Sequence, residues 1–486
     1  MPAFLFPMRM KRSLANTVVL ILGLSSLSIG VCAQKDPGPR AGAPGAGFPY
    51  PALNAGEVSL FSHAFLHFVK PVSVSGTLEK GKGLGPTFNG NSCAMCHAQP
   101  SIGGSSPGLT SPEEPHPNPQ IALAHLDGAT NSVPSFVTAN GPVLVARFLR
   151  RHDGSRDGDV HGLYTIAGRS DAKGCNLKQP DFARQVAEHN VALRIPTPLF
   201  GLGLVENTSD ATLRSNLEST AVARAKLGIG GAFNINPYDG AILRFGWKAH
   251  QNSLLAFSAE AASLEEGISN ELFPNERDVV AGCEFNATPE DSGSILNHDS
   301  GSPKGTLKMG SPIPAPSELA SEIDNFATLI RLSAPAKPGP STRSTVDGAK
   351  LFAQLGCALC HSPSLTTSAS TYTGMSNLTY HPYSDFALHH MGLGLADGIY
   401  QGGAGPDQFR TAPLWGVGQR LFFLHDGRTA DLLQAVLAHT SERSSDCKIA
   451  QSNEKSCSSE ADAVIQKFKL LSPSQIQDLL NFLRSL

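Results

Sequence analysis

Cys93-Ala94-Met95-Cys96-His97 and Cys357-Ala358-Leu359-Cys360-His361 decide how this chain is read. Both are Cys-x-x-Cys-His, the attachment signature of c-type haem. Two thiols three positions apart can add to the two vinyl groups of one porphyrin. The histidine that follows then lies under the ring, where its imidazole can bind iron. A thioredoxin-type redox pair or half of a zinc site would give the same Cys-x-x-Cys. A zinc ribbon needs its second pair within about 15–20 residues, and here the pairs stand 264 positions apart (357 − 93). The expectation is two covalently bound c-type haems. Cys93, Cys96, Cys357 and Cys360 are the anchors, and His97 and His361 the iron ligands.

The rest of the chain fits an exported haem protein. Arg9, Lys11 and Arg12 precede an apolar stretch, Leu14 to Ile29, and Val31-Cys32-Ala33 is a small-residue cleavage site. Residues 1–33 therefore read as a signal peptide, which implies a periplasmic location. No later stretch is apolar enough to span a membrane. Removing three basic residues takes 38 Lys+Arg against 41 Asp+Glu to 35 against 41, a net charge of −6. With no basic run, nucleic acid is not an expected partner. Charged residues are only 16% of the chain, and Gly (48) and Pro (35) are abundant, which favours long loops wrapped around porphyrin. Beyond Cys32 and the haem anchors, Cys175, Cys283, Cys447 and Cys457 remain. An even remainder in an oxidising compartment suggests two disulfides. Cys447–Cys457 would close a short polar loop, which leaves Cys175–Cys283.

The chain reads as mainly α with long loops, in two cytochrome c-like haem domains of which the N-terminal one is enlarged. Residues 34–56 are expected to be a flexible leader, 57–333 the N-terminal haem domain, 334–344 a Pro/Gly-rich linker and 345–486 the C-terminal haem domain. A helix capped by Ser344-x-x-Asp347, with Leu351, Phe352 and Leu355 on its apolar face, should deliver Cys357 to the porphyrin edge. Ser472-Pro473-Ser474-Gln475 opens a last helix with Ile476, Leu479, Leu480, Leu483 and Leu486 as one stripe. A further helix is expected from about Ser253 to Ile268.

Several strings resemble the di-haem c-type oxidoreductase family, distant relatives of bacterial di-haem cytochrome c peroxidase and of MauG. They are Cys93 to Pro100, Gly168 to Ala172, Arg194 to Gly201, Arg244 to Lys248, Phe409 to Gly416 and Leu424 to Arg428. The resemblance implies peroxidase-like chemistry on peroxide or another oxidisable small molecule or protein, with a redox protein as electron donor or acceptor. It implies that His425-Asp426-Gly427 is the turn before a helix that brings His439 to the far side of the C-terminal haem. Met391, in His389-His390-Met391, competes with His439 for that position. Trp247 resembles the tryptophan between the two haems, with Trp415 as the other candidate. Glu260, Glu265 and Glu271 fall where those relatives carry acid–base groups beyond the N-terminal haem, and Glu260 and Glu271 are the catalytic candidates. A Ca²⁺ ion between the domains is also implied, with no ligands assigned here. His116, 19 residues after His97, could instead close the first haem's sixth position. An electron carrier with no chemistry of its own, both irons doubly ligated, is the competing reading.

Overall fold

Capping side chains fix where the helices of this computed structural model begin. It describes residues 35–291, 321–441 and 458–486. The signal peptide, Cys447 and Cys457 lie outside the described residues. Helix α1 (Ala55–Val69) starts at Asn54, whose side chain accepts from the Glu57 N–H while the Glu57 carboxylate accepts from the Asn54 N–H. This reciprocal pair satisfies amides that a helix start leaves open. The first attachment motif forms a single turn, α2 (Cys93–Cys96). Ser253 caps α3 (Leu254–Ala261), but the expected regular helix does not continue to Ile268. It widens into a π-helical turn at Ala262–Glu266, a local unwinding often found at functional sites. Helix α4 (Glu322–Leu332) packs across α1 and α3.

On the C-terminal side, α5 (Arg343–Leu355) is capped by a Thr342/Thr345 box instead of Ser344. After the short α6 (Leu432–Leu437), the last helix α7 (Pro473–Ser485) opens with the expected Ser472/Gln475 box. The Ser344 hydroxyl serves α7, where it accepts from the Asn481 amide at 2.9 Å. Helices α5 and α7 cross closely because Gly348 has no side chain. A Cβ there would sit 2.0 Å from the Asp478 carbonyl oxygen. Leu479, Leu480, Leu483 and Leu486 are buried beneath the crossing, each worth about 1.5–3 kcal/mol when fully removed from water.

Strands are short. β1 (Val145–Phe148) lies between β2 (Val160–His161) and β3 (Val191–Arg194), all antiparallel. Arg147 stands opposite Val160 and Ala192, and Val145 opposite Arg194, so strand alternation puts Val145, Arg147, Val160 and Arg194 on one face. Further on, β4 (Leu388–His390) pairs with β5 (Gln408–Arg410). Cys175 and Cys283 form the expected disulfide. No helix among the described residues is long and apolar enough to cross a membrane.

The expected free leader is instead strapped down. The Asp36 carboxylate receives the Arg484 Nε–H and the Leu432 N–H, both at 2.7 Å. The Tyr50 N–H donates to the Leu332 carbonyl, and Ala46 is fully buried. The expected linker is held too. The Ala334 N–H donates to Phe48 and the Gly339 N–H to Ser485, and Ala334 and Ala336 are buried. Leu365, Met375, Tyr380, Phe386 and Trp415 join the same core cluster as Phe61 to Leu332. Proline and glycine in these stretches mark irregular backbone, not freedom.

Candidate active site

The first attachment motif opens on a cavity of about 1150 Å³. One wall is the face of the sheet carrying Val145, Arg147, Val160 and Arg194. The other is α3 and its π turn, with Glu260, Glu265 and Glu266. His97 directs Nδ1–H to the Gly104 carbonyl at 2.9 Å, which leaves Nε2 for a metal. Burial holds His97 down to about 4, so the ring is neutral at pH 7, as ligation requires. Phe68 of α1 meets the His97 ring edge-on at 6.3 Å.

The three carboxylates differ. Burial alone would raise Glu260. The hydrogen bond and charge of His250, the Gln251 amide and the charge of Arg147 overcome that, so its carboxyl lies below the ordinary range. His250 Nε2 is 2.7 Å and Gln251 Nε2 3.1 Å from the same Glu260 oxygen. Burial pushes Glu265 up to about 7 against the pull of Arg147 and Arg277, with the nearby Glu260 charge adding to the rise. Glu266 goes to about 8 through burial and the charge of Glu322. One wall thus carries one carboxyl held below the ordinary range and two raised to about 7 and about 8. His250 reaches it because Gly246 leaves room; a Cβ at Gly246 would lie 2.3 Å from the imidazole.

The second motif opens on a cavity of about 1410 Å³. His361 directs Nδ1–H to the Tyr383 carbonyl at 2.9 Å, and His439 directs Nδ1–H to Ala435 at 2.8 Å. Both line this cavity, and each keeps Nε2 for a metal. His361 is held to about 4 by burial and then by the charge of His439. Met391 lines the same cavity. His389 is buried between Asp385 at 3.0 Å and Glu460 at 2.6 Å.

Trp247 lines both cavities. Its Nε1–H donates to the Ile195 carbonyl at 2.9 Å, and the Ile195 N–H donates to the His425 carbonyl at 2.8 Å. The His425 ring stacks on Phe409 at 4.3 Å and meets Trp247 edge-on at 6.4 Å. Lys248, fully buried, donates to Asp397 at 3.0 Å, and Arg194 reaches the same carboxylate at 2.6 Å. The tryptophan is therefore fixed between the cavities by bonds on both sides.

Both cavities have the chemistry of a haem seat. In the first, Arg147 Nε, His250 Nδ1 and Glu266 Oε2 are buried without hydrogen-bond partners among the described residues. In the second, Arg410 and Arg420 line the wall, and neither forms an ion pair among the described residues. Burial lowers both guanidiniums to about 10, leaving two cations suited to the propionates of a porphyrin.

Of the residues singled out from sequence, His97, Trp247, Glu260 and Glu265 come together in the first cavity, and His361, His439 and Met391 in the second. Glu271 does not join them. It is exposed and lines neither cavity, because the π turn ends the wall at Glu266. His116 is a loop histidine, its side chain 62% exposed and 3.8 Å from Glu114. Trp415 packs on Tyr380 at 6.0 Å, outside both cavities. Among the described residues, no group of three or more His, Cys, Asp or Glu could hold a metal ion, so the Ca²⁺ expectation gains no ligands. Sequence reading missed His250, although it lies two residues after the Arg244 to Lys248 string.

Comparison with known proteins adds a family. Residues 159–471 match the family described as "Di-haem oxidoreductase, putative peroxidase". The chain belongs to this family. The matched di-haem oxidoreductase region takes in Trp247, Glu260 and the second attachment motif, whereas the first motif lies outside it. The crystal structure of a MauG-like protein associated with microbial copper homeostasis is similar at 18% identity and a TM-score of 0.22. The likeness covers 34% of this chain and 52% of that one, about half its length, and neither fold nor function is carried over from it. Comparison with curated proteins gave no match.

Proposed function

We propose that this di-haem oxidoreductase is an exported, peroxidase-like enzyme with two cytochrome c-like haem seats of unequal task. Cys93 and Cys96 would anchor the N-terminal haem through thioethers, with His97 as its one protein ligand. Cys357 and Cys360 would anchor the C-terminal haem between His361 and His439. When bound, the haems supply iron that holds peroxide and exchanges electrons. Trp247 would carry electrons between the seats, from the C-terminal to the N-terminal one. The overall reaction is H₂O₂ + 2 e⁻ + 2 H⁺ → 2 H₂O, the electrons coming from an external redox protein.

The observation that carries this reading is the unlike walls of the two cavities. Only the first sets a carboxyl driven down, Glu260, beside two driven up, Glu265 and Glu266. Environments that drive two titratable groups apart are how acid and base roles are divided. Glu260 would take a proton from peroxide, with His250 orienting it. Glu265 would give a proton to the oxygen that leaves as water. His439 closes the second cavity instead. The test is steady-state reduction of peroxide by the holoprotein with a chemically reduced electron donor. Turnover well above free haem supports the proposal, and turnover no faster than free haem contradicts it.

A further inference from the structure

Outside both cavities, α1 carries two histidines one turn apart. His63 and His67 face each other with Nε2 to Nε2 at 3.1 Å and ring centroids at 4.7 Å. Two imidazole nitrogens bound to one ion at Zn–N distances of about 2.0–2.1 Å stand about 3 Å apart, so the pair already has the spacing of a chelate. His67 is also oriented from behind. Its Nδ1 lies 3.1 Å from the Glu322 carboxylate on α4, which Lys70 also contacts. A carboxylate at that distance, though not aligned as a hydrogen bond, favours the proton on Nδ1, as in the carboxylate–histidine pairs behind metal ligands. With the His67 proton on Nδ1, its Nε2 lone pair points at His63. With the His63 proton on Nδ1 as well, both lone pairs converge. Both residues are half-buried.

We propose that His63 and His67 form a binding site for one divalent transition-metal ion of borderline softness. Two imidazoles are the protein donors, water fills the remaining positions, and Glu322 positions His67. No group of three or more His, Cys, Asp or Glu converges here or elsewhere among the described residues, so the site is open and its ion exchangeable. Imidazole donors favour Cu²⁺ over Zn²⁺ by the general affinity order of first-row ions. A bound ion would cross-brace α1 one residue from Phe68, whose ring meets His97. The site needs no haem and is independent of the peroxidase-like reading.

The experiment is calorimetric titration of chelator-stripped holoprotein with Zn²⁺, which is redox-silent toward haem, followed by EPR after adding one equivalent of Cu²⁺. Wild-type protein should bind one Zn²⁺, and the Cu²⁺ signal should show coupling to two nitrogens. His63→Ala and His67→Ala should each weaken that binding at least tenfold. Glu322→Gln should weaken it less, and His116→Ala, at an exposed loop histidine, should leave it unchanged. Haem absorbance and thermal melting of each variant without metal establish that it is folded. The proposal is overturned if no one-to-one binding is seen, or if folded His63→Ala and His67→Ala bind Zn²⁺ as wild type does.

Discussion

The two cavities begin alike and end differently. Each starts at a Cys-x-x-Cys-His turn whose histidine gives Nδ1–H to a backbone carbonyl. The first is then closed by a sheet face and by α3 with its π-helical turn, which together bear three glutamates. The second is closed by a further histidine just past α6 and by two arginines, Arg410 and Arg420, with no ion-pair partner among the described residues. An attachment motif fixes where a porphyrin is fused, while the opposite wall decides what its iron can do. Polar acid–base groups suit turnover of a reactant, and a second imidazole suits storage of charge.

Removing one set of anchors should break the comparison most. Cys93→Ala/Cys96→Ala and Cys357→Ala/Cys360→Ala should each lose one of two covalently held porphyrins, read by mass spectrometry of denatured protein. Loss of both from either variant would mean that the two seats do not form separately. Next in size is Glu260→Gln, for which peroxide turnover should fall by about 10²–10⁴, with the C-terminal haem spectrum unchanged. The pH profile should carry two limbs. Activity is lost in acid as Glu260 is protonated, below the ordinary carboxylate range, and lost again as pH rises through about 7 and Glu265 gives up its proton. Glu265→Gln should remove the alkaline fall caused by that ionisation.

His439→Met sharpens the comparison from the other side. Exchanging imidazole for thioether should raise the C-terminal haem potential, on the order of 0.1 V, since axial ligands tune haem potentials over about 0.8 V. A redox titration should show one potential moved and the other left alone. The smallest effect concerns stability. Glu266 is raised from 4.5 to about 8 in the folded protein, so the native state holds a proton that the unfolded chain releases. That contribution is complete below pH 4.5 and is lost as pH climbs through about 8. Glu266→Gln should flatten the decline of denaturant stability over this range.

Much of this was legible in the chain because local chemistry spoke for itself. The attachment motifs, the Ser472 capping box and the Cys175–Cys283 pair each follow from spacing or counting. What was hidden depends on distant partners. Asp36 meets Arg484 across 448 positions, so a Pro/Gly-rich leader gives no local sign of being tied. The π turn keeps Glu265 and Glu266 on the cavity wall and leaves Glu271 exposed, a switch no 3.6-residue pattern records. His250 matters through a bond to Glu260 ten residues on, at a spacing with no helical meaning.

Low-temperature EPR of the oxidised and half-reduced holoprotein tests the inequality of the two seats most directly. The expected spectrum has one low-spin iron with two imidazole ligands and one iron whose signal changes when cyanide or peroxide is added. Two low-spin irons in both redox states, neither altered by added ligand, would contradict the account and leave a plain electron carrier.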